Sequence, residues 1–179
     1  NARRRLMAPS QSGVPLVADA DALWLLAQQG LGSLTAPAIM TPHSGEFDRL
    51  FGAADKDGDR ASKIERTRAA ARRSGSVIVH KGPDSVIAAP DGRILVAPPA
   101  SSWLSTAGTG DVLAGLCAAR LAVSSDALRA AGEAVWLHGE AARRAGAAFI
   151  ADDLLAHIPA AIGQMGIGDR KSVVEGKTV

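Results

Sequence analysis

Three short apolar runs, each followed at once by polar groups, constrain this chain most. Val14-Pro-Leu-Val-Ala-Asp19 ends in a carboxylate. Ala38-Ile-Met-Thr41 leads into Pro42-His43-Ser44-Gly45-Glu46, and Ser76-Val-Ile-Val79 leads into His80-Lys81-Gly82. Continuous apolar runs of this length are the signature of strands buried on both faces. Helical segments separate them. Leu23, Leu26 and Ala27 share a face in Ala20–Gln29, with Gly30 as a stop. A helix is expected from Glu46 through Leu50, then a polar loop over Ala53–Arg60. A basic, Ala-rich helix over Lys63–Arg73 is closed by Gly75. Alternating strands and helices predict an α/β fold, a mostly parallel sheet flanked by helices on both faces.

The second half continues differently. Val86-Ile-Ala-Ala and Ile94-Leu-Val-Ala flank Pro90-Asp91-Gly92-Arg93, and Asp-Gly between apolar runs predicts a small β-hairpin with a two-residue turn. Pro98–Thr106 is expected to be loop. Helices are predicted over Asp111–Leu121, over Asp126–Arg144 with Ser125 as its cap, and over Asp152–Gln164.

Composition narrows the function classes. The 179 residues are 47% hydrophobic and 3% aromatic, without tyrosine, which leaves little for stacking single-stranded nucleic acid. The isoelectric point of about 9.0 comes from the ends. Without Arg3, Arg4, Arg5 and the last eleven residues, 14 basic residues face 16 acidic ones, so no basic stripe exists to track phosphates. The single Cys117 excludes an internal disulfide framework and suits a reducing cytoplasm. No stretch approaches the roughly 18 apolar residues of a membrane span.

Ligands of such sheets bind beyond the carboxyl ends of the strands, where Asp19, His43 and Lys81 all fall. The sharpest motif is Ala107-Gly108-Thr109-Gly110-Asp111 before a helix. Backbone amides of Gly108, Thr109 and Gly110 at a helix N-terminus form an anion hole, and Asp111 beside it suits deprotonation of an attacking hydroxyl. The spacing alone leaves a plain Gly-rich turn equally open. Lys81-Gly82-Pro83-Asp84-Ser85 either holds a nucleotide or is a connecting turn. His43 and Glu46 either meet substrate and magnesium or are a loop histidine and a first-turn acid. Asp55, Asp57 and Asp59 imitate a calcium loop, but Arg60 and Arg66 stand where that loop needs glycine and glutamate. His138 and Cys117 are expected to be packing residues.

Together these segments resemble the ADP-dependent NAD(P)H-hydrate dehydratase family of the ribokinase-like superfamily. The resemblance runs from about Pro15 to Ala160. It is carried by Pro15-Leu-Val-Ala-Asp-Ala-Asp-Ala-Leu23, Met40-Thr-Pro-His-Ser-Gly-Glu-Phe47, His80-Lys-Gly-Pro-Asp-Ser-Val-Ile87, Ala107-Gly-Thr-Gly-Asp-Val-Leu-Ala-Gly115 and Ala134-Val-Trp-Leu-His-Gly139. It implies that His43 and Asp111 contact the hydrated nicotinamide nucleotide. It also implies that Lys81, Gly82, Pro83, Asp84, Ser85 and Gly110 hold ADP or ATP, and that Asp111 activates the C6 hydroxyl for phosphorylation. Glu46 is the candidate for magnesium. Ser44, Pro83 and Asp84 depart from the residues usual in the family.

The resemblance further implies a cytoplasmic lyase, homo-oligomeric when intact and sometimes fused to an epimerase domain. A ribokinase-like kinase of a small alcohol is the alternative reading, and an inactive truncated fragment a further one. Residues 1–168 look like the later part of one such domain, lacking its first strands, so an unprotected sheet edge is expected. Residues 169–179 look like a non-native tail.

Overall fold

The computed structural model describes residues 13–30, 38–53 and 61–167. The polar loop with Asp55, Asp57 and Asp59 and the suspected tail both fall outside the described residues. Five strands form one sheet in chain order: β1 Leu16–Ala18, β2 Ala38–Met40, β3 Val77–His80, β4 Val86–Ala88 and β5 Ile94–Val96. The first three are parallel, with Ala18 beside Met40 and Met40 beside Ile78. The β4–β5 hairpin continues the same sheet antiparallel to β3. The outer side of β1 carries no strand among the described residues.

The helices are α1 Asp21–Gln29, α2 Ser44–Phe51, α3 Lys63–Ser74, α4 Thr109–Val123, α5 Ala127–Ala145 and α6 Ala151–Ile167. Alternation along each strand sorts them into two layers. Ile39, Val77, Val79 and Ile87 pack against Leu113 and Cys117 of α4, Leu128 and Leu137 of α5, and Ala161 of α6. Their neighbours Met40, Ile78 and Ala88 face the other way, onto Leu23 and Leu26 of α1, Phe47 and Leu50 of α2, and Ala70 and Ala71 of α3. Both faces are therefore covered, which is why the strands read as unbroken apolar runs.

Three local expectations are corrected. The hairpin is not a two-residue turn. Ala89 N–H donates to the Arg93 carbonyl and Gly92 N–H to the Ala89 carbonyl, leaving Pro90, Asp91 and Gly92 as the loop. A two-residue type I′ turn on Asp91-Gly92 needs positive φ at both central residues. Pro90 presets a turn of the ordinary hand, and only Gly92 (φ 97°) adopts positive φ. Second, Ser125 does not cap α5. Asp126 does, its carboxylate accepting from the amides of Leu128 (2.9 Å) and Arg129 (3.2 Å) while Arg93 holds the other oxygen. The helix starts one residue later than expected, and a full negative charge suits its positive end. Third, the stretch 98–106 holds a 3₁₀ turn, Ser102–Ser105.

Candidate active site

The parallel register places the residues after β1, β2 and β3 side by side. Thr41 N–H donates to the Ala18 carbonyl and Lys81 N–H to the Pro42 carbonyl, so the three strand ends are tied across. Lys81 Nζ donates to Asp19 Oδ1 at 3.0 Å, with the two side chains 20% and 12% exposed. Asp19 precedes Ala20, whose φ of 47° is strained for a residue with a Cβ. The start of α4 closes on this ion pair. A Cβ on Gly110 would lie 3.5 Å from Lys81 Nζ and 3.7 Å from Asp19 Oδ2, filling the gap between helix and pair.

Gly108 turns the chain into α4 with φ 86°, and even a hydrogen-sized side chain leaves it close to Ala151, whose Cβ would be 3.0 Å from an added one. Thr109 is buried. Its hydroxyl donates toward the carbonyls of Leu104 (2.6 Å) and Thr106 (2.8 Å), and its amide also turns back to Thr106. Thr109 therefore pins the 3₁₀ turn to the helix. The amides of Gly108 and Gly110 donate to no group among the described residues, so they are donors that the N-terminus of α4 leaves open. Asp111 lies exposed in the first turn of α4, next to them.

His43 caps α2. Its Nδ1 accepts from the amides of Gly45 (3.0 Å) and Glu46 (3.4 Å), and Glu46 Oε2 accepts from His43 N–H at 2.9 Å. Two donors at Nδ1 assign the ring hydrogen to Nε2. Nε2 lies 3.5 Å from Glu46 Oε1 on a side chain 61% exposed, so His43 presents a donor outward. Glu46 completes this capping box. Among the described residues no cluster of three or more His, Cys, Asp or Glu forms a metal cage. Magnesium does not require one, since it is commonly held by one or two carboxylates together with phosphates and water.

The loop from Lys81 to Ser85 is held from outside by a residue that the sequence motifs did not single out. Lys63 at the start of α3 donates to both the carbonyl and the carboxylate of Asp84. That hydrogen bond holds the Asp84 carboxyl below its ordinary value. Gly82 is tight under the same ammonium, and Ser85 Oγ donates to the Gly82 carbonyl at 3.3 Å. Pro83 is exposed at the loop tip.

Behind the site are buried groups. Burial, then the Asp19 charge, pushes the Cys117 thiol up to about 12. Burial pushes His138 down to about 4. The Thr109 backbone works against that shift and the Lys81 cation adds to it. Both are packing residues, as expected, but His138 Nε2 is buried without a partner among the described residues. Asp19 was legible only as a strand-end acid, and neither Lys63 nor His80 carries any spacing signal.

A family model described as NAD(P)H-hydrate dehydratase matches residues 6–163. The chain belongs to the NAD(P)H-hydrate dehydratase family. It is 40% identical over 153 residues to a bifunctional NAD(P)H-hydrate repair enzyme of Salinibacter ruber, covering 81% of this chain and 28% of that protein. A bifunctional enzyme of the same name from Moorella thermoacetica is 40% identical over 158 residues, with 82% and 29% covered. The chain thus spans less than a third of the length of these curated relatives. The crystal structure of an ADP/ATP-dependent NAD(P)H-hydrate dehydratase from Bacillus subtilis, grown with ATP and magnesium, superimposes with a TM-score of 0.76 at 31% identity, over 87% of this chain and 56% of that one. A hydroxyethylthiazole kinase from Pyrococcus horikoshii, at 20% identity and TM-score 0.70, shares the fold. The α/β fold is ribokinase-like.

Proposed function

We propose that this chain carries the part of a dehydratase that uses ADP or ATP to return NAD(P)H hydrate to NAD(P)H, a hydro-lyase reaction of metabolite repair. The observation that carries this is the Asp19–Lys81 pair lying against the side-chain-free Gly110 at the start of α4, where the amides of Gly108 and Gly110 have no partner among the described residues. A fixed cation and two free amides at a helix N-terminus suit a phosphate.

Asp111, exposed beside those amides, takes the proton of the C6 hydroxyl as its oxygen attacks the terminal phosphoryl group. Lys81 and the amides face the charge of the transferring group and require no rearrangement to do so. Loss of phosphate from C6 and of a proton from C5 then forms the C5–C6 double bond and restores the dihydronicotinamide. His43 donates from Nε2 to an oxygen of the hydrated nucleotide, while the loop 81–85 cradles the adenine nucleotide. Magnesium, when bound, neutralises phosphate charge, and Glu46 is the residue nearest in role to hold it through water. The reading includes a cytoplasmic homo-oligomer, alone or fused to an epimerase domain; the curated relatives are named as bifunctional enzymes.

The test is incubation of the protein with NAD(P)H hydrate, ADP and magnesium. Recovery of the near-ultraviolet absorbance of the dihydronicotinamide, with release of phosphate, is expected. Accumulation of a stable phosphorylated alcohol would replace the lyase with a kinase.

A further inference from the structure

His80 closes β3, one residue before Lys81, and is 3% exposed. Its ring stacks on Phe47 of α2, the centroids 4.0 Å apart and the planes 6° from parallel. A hydroxyl meets each nitrogen. Thr67 Oγ1 of α3 lies 3.1 Å from Nδ1, and Ser44 Oγ, the first residue of α2, lies 3.5 Å from Nε2. Counting donors assigns the hydrogens. The one proton of the Thr67 hydroxyl goes to the Lys63 carbonyl at 2.7 Å. Thr67 therefore accepts from His80, and Nδ1 carries the ring hydrogen. Nε2 is left bare, and the Ser44 hydroxyl donates to it.

The chain of bonds does not stop there. Lys63 continues through its ammonium to the carbonyl and carboxylate of Asp84. One path, Ser44–His80–Thr67–Lys63–Asp84, thus joins the turn that carries His43 to the loop 81–85. The ring stays neutral in this setting: burial, Lys63 and Arg66 of α3 oppose a second proton, and Asp48 of α2 and Asp84 favour it less strongly. At 3.5 Å the Ser44 contact is the loosest link, and such contacts in ligand-free sites commonly tighten when substrate binds.

We propose that His80 is a positioning residue that sets the His43 turn against the loop 81–85, its Nδ1–H held by Thr67 and its Nε2 holding Ser44. The substrate and nucleotide sides named here rest on the dehydratase reading above.

Thr67→Val is the decisive variant, because it removes the acceptor with a side chain of similar shape in a residue that touches neither ligand. In long-range ¹H–¹⁵N spectra the wild-type ring is expected as the Nδ1–H form from about pH 6 to 8, the range in which an ordinary histidine titrates. Thr67→Val is expected to convert it to Nε2–H, to move the His43 ring signals without ligand, and to raise KM for the hydrate about tenfold, equivalent to ~1.4 kcal/mol, at unchanged ADP affinity. Ser44→Ala is expected to raise the same KM while leaving Nδ1–H in place. The double variant is expected to be no worse than either single one. A wild-type Nε2–H ring, His43 signals indifferent to Thr67→Val, or unchanged KM in both variants would overturn the proposal. Failure of the wild-type protein to turn over the hydrate sinks the dehydratase reading alone, since the tautomer and the His43 signals are read without substrate. If Thr67→Val does not fold, Thr67→Ser keeps the acceptor and must keep the Nδ1–H form, and Ser44→Ala decides the kinetic arm.

Discussion

Asp111 and Cys117 lie on the same helix and face opposite fates. Asp111 is exposed at its positive end, free to act on a ligand. Asp111→Asn is therefore expected to lower kcat by roughly 10²–10⁴-fold, the usual share of a general base, with ADP affinity kept. Equal kcat in the variant, measured under saturating substrate, would remove Asp111 from the mechanism. Cys117, two turns on, faces the sheet and is fully buried. Its thiol, pushed up to about 12, stays protonated at neutral pH. A thiol-disulfide dye is expected to leave it untouched in the folded protein and to label it fully in denaturant. Rapid labelling of the folded chain would contradict this burial.

The boundaries of α3 were well marked. The Ser62–Glu65 box that opens α3 and the left-handed Gly75 that ends it are both local signals. The start of α5 was not local. Ser125 and Asp126 are both acceptable caps, and the choice falls to Asp126 because Arg93, from the distant hairpin, reaches its second oxygen at 2.9 Å. The same hydrogen bond, more than any other influence, holds the Asp126 carboxyl below its usual value. Asp126→Ala is expected to cost about 1 kcal/mol as a lost cap, with a lower denaturant midpoint and an unchanged slope. Ser125→Ala is expected to leave the midpoint in place. The hairpin shows the same limit: Asp91-Gly92 announced a turn, but Pro90 decided its length.

Across the whole molecule, stability should follow two buried histidines. His80 and His138 are each pushed down to about 4 in the folded chain, chiefly by burial. In the unfolded chain they take up protons near pH 6.5, the ordinary value. The unfolded state therefore binds more protons between these limits, and stability falls as pH drops from about 6.5 to about 4. Lowered carboxyls such as Asp84 and Asp126 extend the loss at the acid end, since each is lost only as it protonates. Melting temperatures across this range are expected to decline, less steeply in His138→Gln. A flat profile would contradict neutral burial of the two rings.

The pattern of apolar runs determined by itself the α/β class, the two covered faces and the strand ends at which Asp19, His43 and Lys81 stand, because period and polarity are properties of neighbours in the chain. The entry into a helix at Gly108–Asp111 was legible too, since a glycine turn acts through its own backbone, although the helix begins two residues earlier, at Thr109. Only the tertiary structure decided the partners. Lys81 meets Asp19 across 62 positions of the chain, Lys63 reaches Asp84 across 21, and His80 finds Ser44 across 36. Such contacts arise from the register of the parallel strands and the stacking of helices on them, and no local spacing encodes which distant hydroxyl or carboxylate will stand opposite a given nitrogen.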